Sequence, residues 1–268
     1  MFTAGICDVM LRNNIRFDGG IGVSAGATFG INYKSRQIGR VIRYNKRFCN
    51  DHRYRSWRNL ILTGNLFHAD FCYHQIPFKY DIFDMKTYLE NPMHFYVVVS
   101  DCITGKPIYK ELKTCDHDEM EWLRASASMP VASRIVEVDG HKLLDGGITD
   151  SIPLRKFQEM GYNRNIVILT QPRDFVKKLT GFIGIIRHQL KDYPQIVHGM
   201  EQRHVMYNQE KEYIFQQEKL GNTMVLLPDS PLKIKIMEHD PAIYQKIYEE
   251  GIKLGEKKLQ EIKAFLGQ

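Results

Sequence analysis

The stretch Gly19-Gly20-Ile21-Gly22-Val23-Ser24-Ala25-Gly26-Ala27 constrains this chain more than any other. A serine with a glycine two positions before it and two after, entered from an apolar run, reads as a sharp strand-to-helix turn. The backbone at such a serine is strained, and small neighbours let the following helix pack closely, which is the reason for Gly22 and Gly26. The helix N-terminus aims its N–H groups, that of Ala25 first, at charge developing near Ser24. A glycine-rich turn with no chemistry fits the pattern alone equally well. A phosphate loop does not, because GxGxxG spacing and the following lysine are both lacking.

The rest of the chain alternates in the way such a turn demands. Phe2, Ile6, Val9 and Met10 recur at helical spacing before the turn formers Arg12-Asn13-Asn14, and residues 16–23 read as a short strand running into Ser24. Residues 41–84 are aromatic and basic without clean periodicity, so short helices and loops are expected there. Residues 94–102 are the strongest strand, 117–128 a helix stopped by Pro130, and 133–147 a hairpin turning at Asp139-Gly140. A helix over 153–161 with Gly161 as its cap, and a strand over 165–172, complete an α/β pattern. Beyond Pro172 an amphipathic basic segment runs from Phe175 to Leu190. A late strand follows in 224–234, and a long charged helix runs from Pro241 to Phe265.

A second feature is Lys142-Leu143-Leu144-Asp145-Gly146-Gly147, with a carboxylate at the end of a strand beside a tight turn. Taken alone it is a plain Asp-Gly turn. Taken together, an early serine elbow followed after a little over a hundred residues by "ASMP" and then "DGGITDSIP" resembles the patatin-like phospholipase family over roughly residues 1–172. The resemblance implies a three-layer α/β/α sandwich with a mostly parallel central sheet and a helical C-terminal extension. The expected division is an acyl hydrolase domain over 1–172 and a mainly helical region over 173–268. It also implies a catalytic dyad without histidine, with Ser24 as nucleophile and Asp145 as general base. Gly22, Ala25 and Gly26 would support the elbow and oxyanion, and Gly146 and Gly147 would form the turn beside the base. The implied substrates are lipid acyl esters, with no metal and no cofactor.

One departure bears on activity. The family opens with an apolar strand and a glycine-rich loop whose N–H groups form the oxyanion hole, whereas this sequence starts at Met1 inside the helix that follows them. A natural start upstream of Met1 is therefore expected. A chain that truly began there should be a weak or inactive esterase, since one lost oxyanion donor removes ~3–4 kcal/mol of transition-state stabilisation. Two rival readings stand beside the dyad. One is a conventional Ser-His-Asp esterase using His239, and the other a non-catalytic family member that binds lipid or a partner.

Composition excludes other classes. A net charge of +6 over 268 residues, with no Lys/Arg run, argues against nucleic acid. Five cysteines, never in a CxxC pair, argue against a disulfide framework or a zinc knuckle and for a reducing cytoplasm. No secretory leader is visible, and no apolar run approaches the ~20 residues of a membrane span. Peripheral contact at the inner membrane surface through 175–190, and self-association through the last helix, are the partner expectations.

Overall fold

The computed structural model describes residues 1–235 and 237–268. Helix α1 (Phe2–Arg12) leads into strand β1 (Gly19–Val23), and α2 (Ala25–Lys34) leaves directly from Ser24. Helices α3 (Arg40–Phe48) and α4 (Trp57–Thr63), a π-helix over Phe71–Tyr80 and α5 (Met85–Glu90) fill the aromatic stretch, as short helices were expected to. Strands β2 (His94–Asp101) and β3 (Pro107–Glu111) precede α6 (His117–Ser126). Asp116 caps α6 by accepting from the amides of Asp118 and Glu119. The hairpin of β4 (Val136–Val138) and β5 (His141–Asp145) turns at Asp139-Gly140, both with positive φ (49° and 78°). Helix α7 (Leu154–Glu159), β6 (Asn165–Ile168), α8 (Ile183–Gln189), α9 (Pro194–Lys219), β7 (Thr223–Leu226) and α10 (Pro241–Leu266) complete the chain.

The architecture is a mixed α/β fold with helices on both faces of the strands. Phe95, Val97 and Val99 of β2 point into the main core with residues of α1, α2, α6 and α10. Tyr96, one position out of phase, meets Phe157 of α7 edge-on across the other face. The two strands β6 and β7 split in the same way. Ile166, Ile168, Met224 and Leu226 join the main core, and Val167 and Val225 pack with Leu154 of α7 and Ile214 of α9. The alternation of a two-sided strand thus sets the three layers.

Parallel pairing is less extensive than the mostly parallel sheet expected from sequence. In the five-stranded sheet β1 runs parallel to β2, while β3 and β5 run antiparallel to β2 and β4 antiparallel to β5. The separate pair β6–β7 is parallel. The reason is connection length: tight turns join β2 to β3 and β4 to β5, and a tight turn returns the chain antiparallel. The C-terminal residues do not stand apart from the rest. Ile247 and Ile262 of α10 lie in the main core beside Phe2, Ile6 and Met10 of α1, and Tyr248 donates to the buried Asp8 carboxylate at 2.6 Å.

Candidate active site

Strand register brings the two predicted residues together. β1 pairs with β2 up to Val23 opposite Val98, and β5 pairs with it from Asp145 opposite Val99. Because β3 occupies the other edge of β2, β1 and β5 meet the same edge end to end. The residue that follows Val23 is Ser24, so Ser24 and Asp145 reach the same level of the sheet from opposite directions. No spacing in the sequence announces this, since the two lie on strands of opposite sense.

Ser24 itself is strained, with φ 54° and ψ −121°. A non-glycine residue there carries on the order of 1–3 kcal/mol of unfavourable energy, which its surroundings must hold in place. Ser126, at the end of α6, does part of that. Its buried hydroxyl donates to the Val98 carbonyl at 2.7 Å and accepts the Ser24 N–H at 3.0 Å. Gly22 is needed because a Cβ there would sit 2.6 Å from the backbone N and Cα of Ala27. Gly26 is different. A Cβ there would meet nothing within 4 Å, so close helix packing does not explain this glycine, which borders open space. Ala25 is exposed at the first position of α2, where an N–H has no intrahelical acceptor.

Asp145 is held through both its backbone and its side chain and is only 1% exposed. Its N–H donates to the Ser128 carbonyl at 2.9 Å, and its own carbonyl accepts from Ser100 Oγ at 2.8 Å. Oδ1 accepts the Gly147 N–H at 2.8 Å. Oδ2 is buried and makes no hydrogen bond of normal geometry among the described residues. Burial pushes the carboxyl up to about 6, against the opposing pull of the Ser24 hydroxyl, the Gly147 amide and the Arg203 guanidinium. The Ser24 hydroxyl is therefore near enough to act on this carboxyl, although no well-formed hydrogen bond joins them. Gly146 must be glycine, because a Cβ there would fall 2.2 Å from the Val98 carbonyl oxygen. At Gly147 a Cβ would come within 3.0 Å of Asp145 Oδ1.

A cleft of about 440 Å³ adjoins Ser24, with walls that include Phe29, Tyr54, Phe67, Tyr73, Ile76 and Leu123. It is mainly apolar, with polar groups at a few points, as expected of a pocket that takes an aliphatic chain. His239 is not among its lining residues. Its ring Nδ1 is instead 2.9 Å from the Cys49 carbonyl oxygen.

Sequence reasoning missed Ser126, Ser100 and Arg203. Ser128 lies within "ASMP", which served in the sequence only as a mark of the resemblance, and Ser126 stands just before it. In fact Ser126 holds the elbow and Ser128 holds the strand that ends in Asp145. Arg203, on α9, donates from Nε to the Gly147 carbonyl at 2.6 Å, and no local signal marks it.

The patatin-like phospholipase profile matches residues 1–157. A second profile, described as a domain of unknown function (DUF6363), matches residues 193–267. The chain is 26% identical over 178 residues to the "Uncharacterized protein YjjU" of Escherichia coli (strain K12), an overlap of 64% of this chain and 49% of that protein. It thus spans about half the length of the curated relative it matches. A profile that covers more than half of the residues, including both the elbow and the Asp-Gly-Gly turn, places this chain in the patatin-like phospholipase family, a family of lipid hydrolases.

Proposed function

We propose that this chain hydrolyses acyl esters of lipids through a Ser24–Asp145 dyad. The observation that carries the reading is the buried Oδ2 of Asp145, which makes no hydrogen bond of normal geometry among the described residues, on a residue that reaches the same level of the sheet as Ser24. In the reaction, Asp145 takes the hydroxyl proton as Ser24 Oγ bonds to the ester carbonyl carbon, giving a tetrahedral oxyanion. In this reading the Ala25 N–H donates to that oxyanion, as the amide after such a serine does. Collapse breaks the ester C–O bond, and the departing alkoxide takes the proton from Asp145. Asp145 then deprotonates a water, which attacks the acyl-serine and releases the fatty acid and the free serine. A carboxyl raised to about 6 is a stronger base than an exposed aspartate and stays ionised above that pH. Activity therefore falls as the pH drops through about 6.

A fluorophosphonate probe tests this reading. Wild-type protein becomes labelled, whereas Ser24→Ala loses all labelling and Asp145→Asn loses at least about 10³-fold in labelling rate, because the nucleophile and its base act as a unit. His239→Ala labels like the wild type. Labelling that survives Ser24→Ala, or a folded wild type that never labels, defeats the proposal, and the second result favours a lipid- or partner-binding protein.

The substrate is met at an anionic lipid surface. Two segments support this, residues 52–69 around α4 and residues 175–191 around α8. Neither contains an Asp or Glu, although Asp51, Asp70, Asp174 and Asp192 border them and Arg53 and Arg187 pair with Asp51 and Glu201; Arg58, Lys178 and Lys191 also lie within them. They carry the exposed side chains Trp57, Ile61, Leu62, Leu179, Phe182 and Ile185. Both flank the loop after α6: the Leu66 N–H donates to the Ala132 carbonyl and the Val131 N–H to Gln189 Oε1. Apolar side chains ringed by cations suit an interface of acyl chains beneath anionic headgroups. No helix among the described residues is long and apolar enough to cross a membrane. Ser24→Ala protein should float with phosphatidylglycerol vesicles and not with phosphatidylcholine vesicles, and Trp57→Ser/Phe182→Ser should abolish flotation. Equal flotation on both lipids, or loss of dimers in place of loss of vesicle binding, would refute this surface.

A further inference from the structure

The Asp145 turn is gripped from outside the patatin-matched residues. α9, which lies within the segment matched by the domain of unknown function, lays one face along residues 147–152. A Cβ on Gly199 would sit 3.2 Å from Ile148, Arg203 Nε donates to the Gly147 carbonyl, and Glu210 accepts from the Ser151 and Ile152 amides at 3.2 and 3.0 Å. Residues 199, 203 and 210 fall on one side of a helix, so a single face meets the whole turn. The position that a Gly147 Cβ would occupy is 3.0 Å from Asp145 Oδ1 and 3.2 Å from a guanidinium nitrogen of Arg203, which brackets that carbon between carboxylate and cation.

We propose that Arg203 is a positioning residue for Asp145: the C-terminal helical segment supplies the guanidinium that pins the Gly147 carbonyl and furnishes the counter-charge for the base. The proposal rests on the dyad reading given above. An ionised carboxylate buried without a cation is strongly disfavoured, and here a single hydrogen bond at Oδ1 must suffice if Oδ2 is to stay free for the serine proton. A guanidinium that bonds the adjacent carbonyl, leaving the carboxylate itself alone, stabilises the charge without occupying the basic oxygen.

The neighbouring groups fit that division. Ser24, the Gly147 amide and Arg203 favour the charged form of Asp145, and Tyr73 of the π-helix is held un-ionised mainly by its own burial. Around Arg203 stand Lys177, Tyr207 and Glu210. Burial pulls Lys177 down to about 8, and burial raises Tyr207. Glu210 and its close neighbour Asp150, which accepts from Tyr109 at 2.6 Å, are both pushed toward the protonated form by burial. Pushed toward its neutral form, Glu210 competes less for the guanidinium than a fully ionised carboxylate would.

The test compares Arg203→Met with Arg203→Lys in two readouts: the pH dependence of Ser24 labelling and the carbon-13 titration of the Asp145 carboxyl. Loss of a cation close to a carboxylate shifts its titration by about one unit or more. In Arg203→Met the midpoint therefore moves up by about one unit, and labelling at pH 6 falls about fivefold with little change at pH 9. Arg203→Lys, which keeps the charge, titrates near the wild type. An unmoved midpoint in Arg203→Met, with labelling lowered equally at every pH, overturns the proposal and leaves Arg203 a structural contact. If the wild type does not label at all, the dyad reading fails separately, and the carboxyl titration alone still decides the role of Arg203.

Discussion

The two halves of the candidate site are held by opposite means. Ser24 is fixed through its backbone: a positive φ, a glycine that no other residue can replace at position 22, and an amide captured by Ser126. Its side chain is left comparatively free and half-buried beside open space. Asp145 is fixed through its surroundings, buried, bonded at Oδ1 and countered by Arg203 from a distant helix. In the proposed reaction the serine oxygen must move toward a carbonyl, whereas the carboxylate must keep its charge where water is scarce. Strain serves the first need and an arranged environment the second.

The sharpest way to break this comparison is at Gly22. Gly22→Ala forces a Cβ onto the backbone of Ala27, and we expect a loss of about 3 kcal/mol or more in urea unfolding, with labelling lost as the elbow shifts. A stable, active Gly22→Ala protein would show that the elbow is not backbone-limited. The Asp145 half is tested by its charge. Its folded pKa is raised, so the stability it contributes is full below about pH 4 and is lost as the pH rises through about 6. Asp145→Asn removes that loss. The variant should be more stable than the wild type at pH 8 by up to about 3 kcal/mol, and no more stable at pH 4. An equal stability difference at both pH values would mean that the carboxylate is fully compensated. The smallest effect is expected at Gly26, where the space is open. Gly26→Ala should lie within about 1 kcal/mol of the wild type, on the stabilising side, since alanine suits a helix better than glycine. A large loss there would restore the close-packing explanation.

What could be read from sequence follows the same division. The elbow was legible because its constraint is local: Gly22 and Ser24 must be near neighbours in the chain whatever else folds around them. The Asp139-Gly140 turn was legible for the same reason. The second glycine was misread, since spacing alone cannot distinguish a glycine pressed against backbone from one facing a void. β3 escaped notice because Pro107–Glu111 is half-buried throughout and shows no alternation. The π-helix over 71–80 contains Pro77 and follows no 3.6-residue period. α9 was missed because Ile196, Met200, Lys211 and Ile214 are its only buried residues in 26, too thin a stripe to register. Arg203 on such a helix looks like any solvated cation, and its partner is 56 residues away.

The packing of α10 against α1 has a consequence for synthesis. The apolar face of α1 leaves the ribosome roughly 230 residues before the helix that will cover it. At about 5–20 residues per second it waits on the order of 10–50 seconds without its partner. Through that interval Phe2, Ile6 and Met10 are open to chaperones, so this part of the core stays incomplete until α10 has been made.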